Sequence, residues 1–316
     1  YFADRKSLKN TINLGICAVL LILCWGYGTL VLGQRQIAPA GSGIAIEILQ
    51  PNIDQYQKWD PLFAADIKKT LDQLLSQKRE NPPRLIIWPE SALPGWLEEE
   101  DLQYWISSWA KRLQTHMLLG SIFHENFLAH NSAILLSIDG QKEGIYHKRQ
   151  LVPFGEFVPW RPLFEGWIGI LSEMGDILPG GKRQMLFQTP IGKVAISICY
   201  EILFPPLMRL DSVRGARYFI NLTNDGWYKQ TAGPYQHFYS NVFRAIENRV
   251  TVLRAANTGI SGVIDPYGVI LLKSRLGARE RLDFILPPND QFPQGSPYSR
   301  HGDWFGFISM AISLGL

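Results

Sequence analysis

Apolar positions follow two regimes along this 316-residue chain. From Leu14 to Gly33 they are continuous, with no formal charge, over about the length an α-helix needs to cross a hydrocarbon core. From Ile44 onward, short Ile/Leu/Val runs alternate with stretches in which apolar residues recur every three or four positions. That is the pattern of buried strands interleaved with amphipathic helices. It predicts a strand at Ile44–Leu49, a helix from Pro61 to Arg79 with Ile67, Leu71, Leu74 and Leu75 on one stripe, and a strand running into Glu90. A helix over Asp101–Leu113 and a strand at Met117–Phe123 follow. Ser132–Ile138 and the approach to Lys148 read as a hairpin across Asp139-Gly140, and Met185–Gln188 with Lys193–Ile198 as another across Thr189-Pro-Ile-Gly192. A helix, a strand at Arg217–Leu222, a helix at Gln236–Arg249, a strand at Val250–Ala255 and a hairpin through Asp265-Pro-Tyr-Gly268 close the series. The expected architecture is α/β, with two sheets each covered by helices. A last apolar run opens at Trp304 and stops too short to span a bilayer.

The N-terminal run is longer than the apolar core of a signal peptide, and no small-x-small cleavage site closes it clearly. Arg5, Lys6 and Lys9 precede it and only Arg35 follows closely, so the positive-inside rule places the N-terminus in the cytoplasm and the large domain outside. The boundaries read as residues 1–40 for the cytoplasmic flank, transmembrane helix and linker, 41–302 for the catalytic domain, and 303–316 for the start of a truncated membrane helix. A net charge of +3 without a basic stripe argues against nucleic acid. Ten Trp and twelve Tyr suit a lipid–water boundary as well as an ordinary core. Gly155 to Gly181 is a long aromatic stretch with little predicted structure, either a lid or a surface excursion packed by Trp160 and Trp167.

Candidate chemistry centres on Cys199, presented at the end of the strand Lys193-Val-Ala-Ile-Ser-Ile198 and followed by Tyr200 and Glu201. A lone thiol there is ordinarily a small core hydrophobe. Two other runs change that. Arg84-Leu-Ile-Ile-Trp-Pro-Glu90 delivers a carboxylate at a strand tip stopped by Pro89, and Tyr146-His-Lys148 sets an ammonium before a Pro/Gly-punctuated loop. Strand-tip Glu, Lys and Cys in that order resemble the catalytic set of the nitrilase, or carbon–nitrogen hydrolase, superfamily. Gln50-Pro-Asn-Ile53, Lys58-Trp-Asp-Pro61, Leu151-Val-Pro-Phe-Gly-Glu-Phe-Val-Pro159, Asn224-Asp-Gly-Trp227, Gln236-His237, Arg244-Ala-Ile-Glu247 and Arg254-Ala-Ala-Asn-Thr-Gly-Ile-Ser261 narrow the resemblance to the apolipoprotein N-acyltransferase family. It runs from about Ile44 to Asp303, without most of the upstream membrane helices of that family.

The resemblance implies a nitrilase-type four-layer α-β-β-α sandwich flanked by transmembrane helices. Cys199 would be the nucleophile, Glu90 the general base and Lys148 the stabiliser of thiolate and oxyanion, aided by the Tyr200 N–H. Glu156 would neutralise and orient Lys148. Glu201 would support the site or pair with a core arginine such as Arg244. Trp59, Asn131 and Trp227 are candidate substrate contacts, with strand-edge and core or rim roles as their alternatives. The six His show no paired ligand spacing and there is no Gly-x-Ser-x-Gly elbow, so no cofactor or metal is implied. The implied reaction moves a fatty acyl chain from a membrane phospholipid, through a Cys199 thioester, to the α-amino group of a diacylated apolipoprotein. The implied location is a bacterial inner membrane, multi-pass, with the catalytic domain on the periplasmic face. The rivals are a membrane-tethered amidase and a catalytically dead scaffold module.

Overall fold

The computed structural model describes residues 2–33, 35, 43–125, 127–153, 155–157, 177–181, 185–288 and 295–314. The chain forms two compact units, residues 1–39 and 40–316. In the first, helix α1 (Phe2–Gly33) carries the apolar stretch Asn13–Gly33, 21 residues long, with Leu21 and Trp25 exposed. By length and composition this stretch is long and apolar enough to cross a membrane.

The second unit holds twelve described strands in two six-stranded sheets. One has the order β12 (Glu280–Leu286), β1 (Ile44–Gln50), β2 (Leu85–Ile87), β3 (His116–Glu125), β4 (Leu128–Leu136), β5 (Lys142–His147). The other runs β11 (Ile270–Lys273), β10 (Gly262–Ile264), β9 (Thr251–Ala256), β8 (Tyr218–Thr223), β7 (Gly192–Ile198), β6 (Phe187–Thr189). The period-two alternation of each strand sorts its side chains between two cores. Ile46, Ile48, Leu85, Ile87, Leu118 and Leu135 of the first sheet meet Val194, Ile196, Ile198, Ile220, Leu222 and Leu253 of the second in a shared central core. The opposite face of the first sheet (Ile86, Met117, Leu119, Ile134) is covered by α2 (Ala64–Ser76) and α3 (Glu100–Leu113) through Leu71, Leu75, Ile106 and Ala110. The opposite face of the second (Ala195, Phe219, Val252) lies under α4 (Pro205–Val213) and α5 (Gly233–Asn248) through Met208, Phe238 and Ala245. The layers are therefore α-β-β-α. Truncating a fully buried member such as Leu71 costs about 2–5 kcal/mol.

Three departures from the predicted elements have clear causes. Strand β12 was not anticipated; it alternates charged and apolar residues (Arg281, Leu282, Asp283, Phe284) because it lies at a sheet edge, antiparallel to β1, with Ile44 opposite Leu286. Helix α2 ends at Ser76 rather than Arg79, since Arg79 leaves the helix to bond Glu47 at 2.7 and 2.8 Å. Strand β4 starts at Leu128, before Ser132, because it pairs with β3 along its whole length. The segment between Gly155 and Gly181, with Trp160 and Trp167, falls largely outside the described residues. A short helix α6 (Pro297–His301) leads to α7 (Trp304–Leu314), whose Phe305, Phe307 and Ile312 are exposed.

Candidate active site

Three strand ends build the site. Pro89 has no N–H to continue the ladder, so β2 stops and Glu90 follows, with Ser91 at φ 44°. Close backbone approach fixes that turn: a Cβ on Gly120 would stand 2.6 Å from Glu90 Cα, so only glycine lets β3 pass there. Lys148 lies just beyond β5, tied by its N–H to the Asn131 carbonyl at 2.8 Å. Cys199 lies just beyond β7 at φ 52°, the left-handed region that costs a non-glycine residue about 1–3 kcal/mol. Such strain persists only where surroundings impose it, and here it turns the thiol out of the strand into a cavity of about 420 Å³.

That cavity is lined by Glu90, Lys148, Glu156, Cys199, Tyr200, Trp59 and Trp227, so seven of the nine predicted site residues share it. Lys148, 1% exposed, places Nζ 2.8 Å from Glu156 Oε1 and 3.7 Å from Glu90 Oε1. Asn131 donates from Nδ2 to both carboxylates, at 2.7 Å to Glu90 and 2.9 Å to Glu156. The Val152 N–H holds the other oxygen of Glu156 at 2.9 Å. Burial opposes the charge on Lys148, yet Glu90, the Cys199 sulfur and Glu156 outweigh it and raise its pKa. The Cys199 thiol is pushed up to about 12, first by burial and then by the Glu90 charge, against the lowering pull of Lys148. The resting sulfur is a thiol at neutral pH, and its proton must leave as it attacks.

The remaining two predicted residues lie outside the cavity lining. Asn131 spends its NH2 on the carboxylates, and among the described residues its Oδ1 has no partner. Glu201, fully buried, knots the two sheets together: one oxygen accepts from the N–H groups of Arg149 (2.6 Å) and Gln150 (3.0 Å), the other from Tyr146 Oη (2.8 Å) and the Ile198 N–H (2.7 Å). It thereby locks the residues flanking Lys148 onto those flanking Cys199. Arg244 does not reach it; that guanidinium bonds Glu247 at 2.6 Å, three residues along the same helix.

Sequence reasoning missed two features. Lys58, quoted in a motif but given no role, is 2% exposed, lines the cavity and donates from Nζ to the Glu90 carbonyl at 2.9 Å. Burial lowers its pKa to about 8 against the raising effect of Glu90. Behind Cys199, Arg254 and Asp225 (both with side chains 0% exposed) pair at 2.8 Å, and His237 lies 2.8 Å from Asp225 Oδ1. The motif residues Asp225, His237 and Arg254 signalled importance without indicating a place. A second cavity, about 440 Å³, lies elsewhere and includes Arg209, Arg217, Arg249 and Arg300. Arg209 and Arg249 are engaged there by backbone carbonyls, and its lining holds neither thiol nor carboxylate.

At the rim, Trp59 stacks near Trp96 (ring centroids 5.4 Å apart) and Trp227 meets Tyr56 edge-on at 6.4 Å. Trp59 and Trp227 stay 42% and 63% exposed beside these ring partners.

The chain as a whole is similar to several known proteins. The chain is 36% identical to the apolipoprotein N-acyltransferase of Geobacter metallireducens over 98% of its own length, 33% to that of Methylococcus capsulatus over 92%, and 35% to that of Agrobacterium fabrum over 94%. It spans about 60% of the length of these curated relatives. Its fold is similar to that of an amidase variant from Nesterenkonia sp. AN1 bearing the acetamide moiety of fluoroacetamide on its active-site cysteine (TM-score 0.61, 18% identity, 85% of this chain and 100% of that one). It is also similar to C. elegans NitFhit (TM-score 0.62, 19% identity, 84% and 65%). Residues 48–281 match the carbon-nitrogen hydrolase family, and the chain, whose strand-end cysteine, a glutamate and a lysine line one cavity, belongs to that family.

Proposed function

We propose that this chain is the catalytic part of a membrane N-acyltransferase that moves a fatty acyl chain from a phospholipid, through a Cys199 thioester, to the α-amino group of a diacylated apolipoprotein. The observation that carries the reading is the meeting of Cys199, Glu90 and Lys148 in one aromatic-rimmed cavity, in a chain 33–36% identical to proteins named for that activity.

In the first half-reaction Glu90 takes the thiol proton as the sulfur attacks the ester carbonyl. Lys148 and the Tyr200 N–H receive the oxyanion. The C–O bond then breaks, and Glu90 returns its proton to the departing lysophospholipid oxygen. In the second, the acceptor amine attacks the thioester and gives a proton to Glu90. The C–S bond breaks, and Glu90 re-protonates the sulfur. Because burial and the Glu90 charge hold the thiol up at about 12, a base must take its proton, which places the demand on Glu90. Asn131 and Glu156 hold Glu90 and Lys148 in register, and Trp59 and Trp227 offer the acyl chain an apolar rim.

Helix α1 supplies the anchor, with the positively flanked N-terminus cytoplasmic and the catalytic domain periplasmic. The membrane flanking of the sandwich, the multi-pass topology and the domain boundaries at 41 and 302 belong to the same reading. Mass spectrometry of the Cys199 peptide after incubation with phospholipid alone tests it. A hydroxylamine-labile gain of one fatty acyl chain is expected, and acyl transfer surviving in Cys199→Ala would sink the mechanism. The amidase reading, which the fold alone allows, predicts instead that the same thiol hydrolyses a small amide and takes no acyl chain from phospholipid.

A further inference from the structure

Three polar groups lie between the second sheet and α5, directly behind Cys199: Asn221 on β8, Arg254 on β9 and His237 on α5, with Asp225 just beyond β8. Asn221 and Arg254 are register partners on adjacent parallel strands, so both side chains rise from the same face. Two of these groups converge on one atom. The Cys199 carbonyl oxygen lies 3.1 Å from His237 Nε2 and 3.3 Å from Asn221 Nδ2.

The protonation state of His237 follows from its neighbours. A carbonyl oxygen only accepts, so Nε2 carries a proton. The other ring nitrogen lies 2.8 Å from Asp225 Oδ1. Burial works to raise the Asp225 pKa, but Arg254 and His237 outweigh it and hold it below its ordinary value, so this carboxylate is ionised and also only accepts. Nδ1 lies between this carboxylate and the Arg254 guanidinium, which is 3.3 Å away.

The carbonyl of Cys199 and the N–H of Tyr200 belong to one planar trans peptide and point in opposite directions. Donors fixed on the oxygen thus set where the N–H points, and they polarise it into a stronger donor. We propose that His237 is a positioning residue that donates from Nε2: with Asn221 it pins the Cys199 carbonyl, and through the shared peptide plane it aims and strengthens the Tyr200 N–H as an oxyanion donor. The proposal rests on the reading of Cys199 as the acylated nucleophile. It also explains why the strained φ of Cys199 is kept, because the left-handed residue is the one whose carbonyl is turned back into this cluster.

The test uses the full chain in lipid nanodiscs. Nitrogen-15 NMR of histidine-labelled protein, with the His237 signals assigned by their loss in His237→Gln, should show Nε2 protonated at pH 7. A bare Nε2 at pH 7 overturns the proposal. Single-turnover acylation by phospholipid should then rank wild type above His237→Gln, which keeps an N–H donor, and that above His237→Leu. The Leu variant should lose roughly tenfold or more in rate with phospholipid binding unchanged, less than the 10²–10³ expected for outright loss of an oxyanion donor. Equal rates in all three overturn the proposal, and if the Leu variant fails to fold the NMR result on the unaltered chain still decides. Acylation persisting in Cys199→Ala would instead overturn the nucleophile reading, and with it the positioning role, even where the NMR shows the Nε2 proton.

Discussion

Two charged clusters flank Cys199, and they differ in what they face. Glu90, Glu156 and Lys148 come from the first sheet's side and line the cavity, where the site opens to substrate. Asp225, Arg254 and His237 come from the second sheet and α5 and are sealed, with Asp225 and Arg254 fully buried and His237 only 6% exposed. The first cluster sets two carboxylates against Lys148, with Lys58 beside Glu90 as a second ammonium; the second sets Asp225 against Arg254, with the His237 ring at its side. A base must find its proton taken up and given back, so the front stays open to the cavity. The rear has no part in that transfer, and it can be closed to water and spent on geometry. Charge that must change belongs in the cavity, and charge that must not belongs in the core.

Removing Arg254 strikes that division hardest. Arg254→Met leaves Asp225 buried with its cation gone, so it should cost about 3–5 kcal/mol of stability, read as a fall in melting temperature. Lys148→Met should cost roughly 10²–10³ in acylation rate, with a smaller thermal shift because the orphaned carboxylates face a cavity. If the two variants lose stability equally, the contrast between front and rear fails. Glu90→Gln should slow acylation at neutral pH and recover as pH rises. Its recovery should begin below the wild-type thiol's value of about 12, since the Glu90 charge is one of the causes that hold the thiol there. Lys148→Met, lacking the positive charge, should not recover at any pH, and equal alkaline recovery of both would reverse the roles assigned to them.

Glu201→Gln sharpens the comparison from the structural side. All four partners of Glu201 are donors, so an amide NH2 faces donors wherever it turns, and a stability loss of about 1–3 kcal/mol is expected. Burial raises the Glu201 pKa against those same hydrogen bonds, so the knot is a place of balanced cost rather than a strong ion pair. The smallest effect is expected at Lys58. It is cationic below about pH 8 and neutral above, so any support it lends to charge near Glu90 fades as pH rises through that value. Wild-type acylation should then show a modest alkaline decline near pH 8 that Lys58→Met lacks, measured as initial rate against pH.

The strands, the two sheets and the three proposed catalytic residues were legible because each rests on local signals. Apolar alternation gives a strand, and a chemical side chain at its end gives a site. What stayed hidden depends on distant pairing. Strand β12 is charged on one face and became a strand only because β1 needed an edge partner far along the sequence. Glu201 read as a possible partner for Arg244, since both are core-facing. The sheet register placed it instead against three backbone N–H groups and a tyrosine hydroxyl. The His237 cluster is drawn from β8, β9 and α5, and no spacing along one element announces it. The left-handed backbone at Cys199 was equally invisible, because nothing in an Ile-Cys-Tyr sequence requires a positive φ.

Strand β1 begins the sandwich and β12 nearly ends it, yet Ile44 lies opposite Leu286 as an immediate neighbour. The first sheet therefore cannot be finished until almost the whole domain has emerged from the ribosome. Its opening strand must wait with one edge unpaired, which is the condition under which chains aggregate. Such long-range closure makes folding slow. An emerging chain fastened early to a lipid surface by α1 would wait apart from other copies of itself.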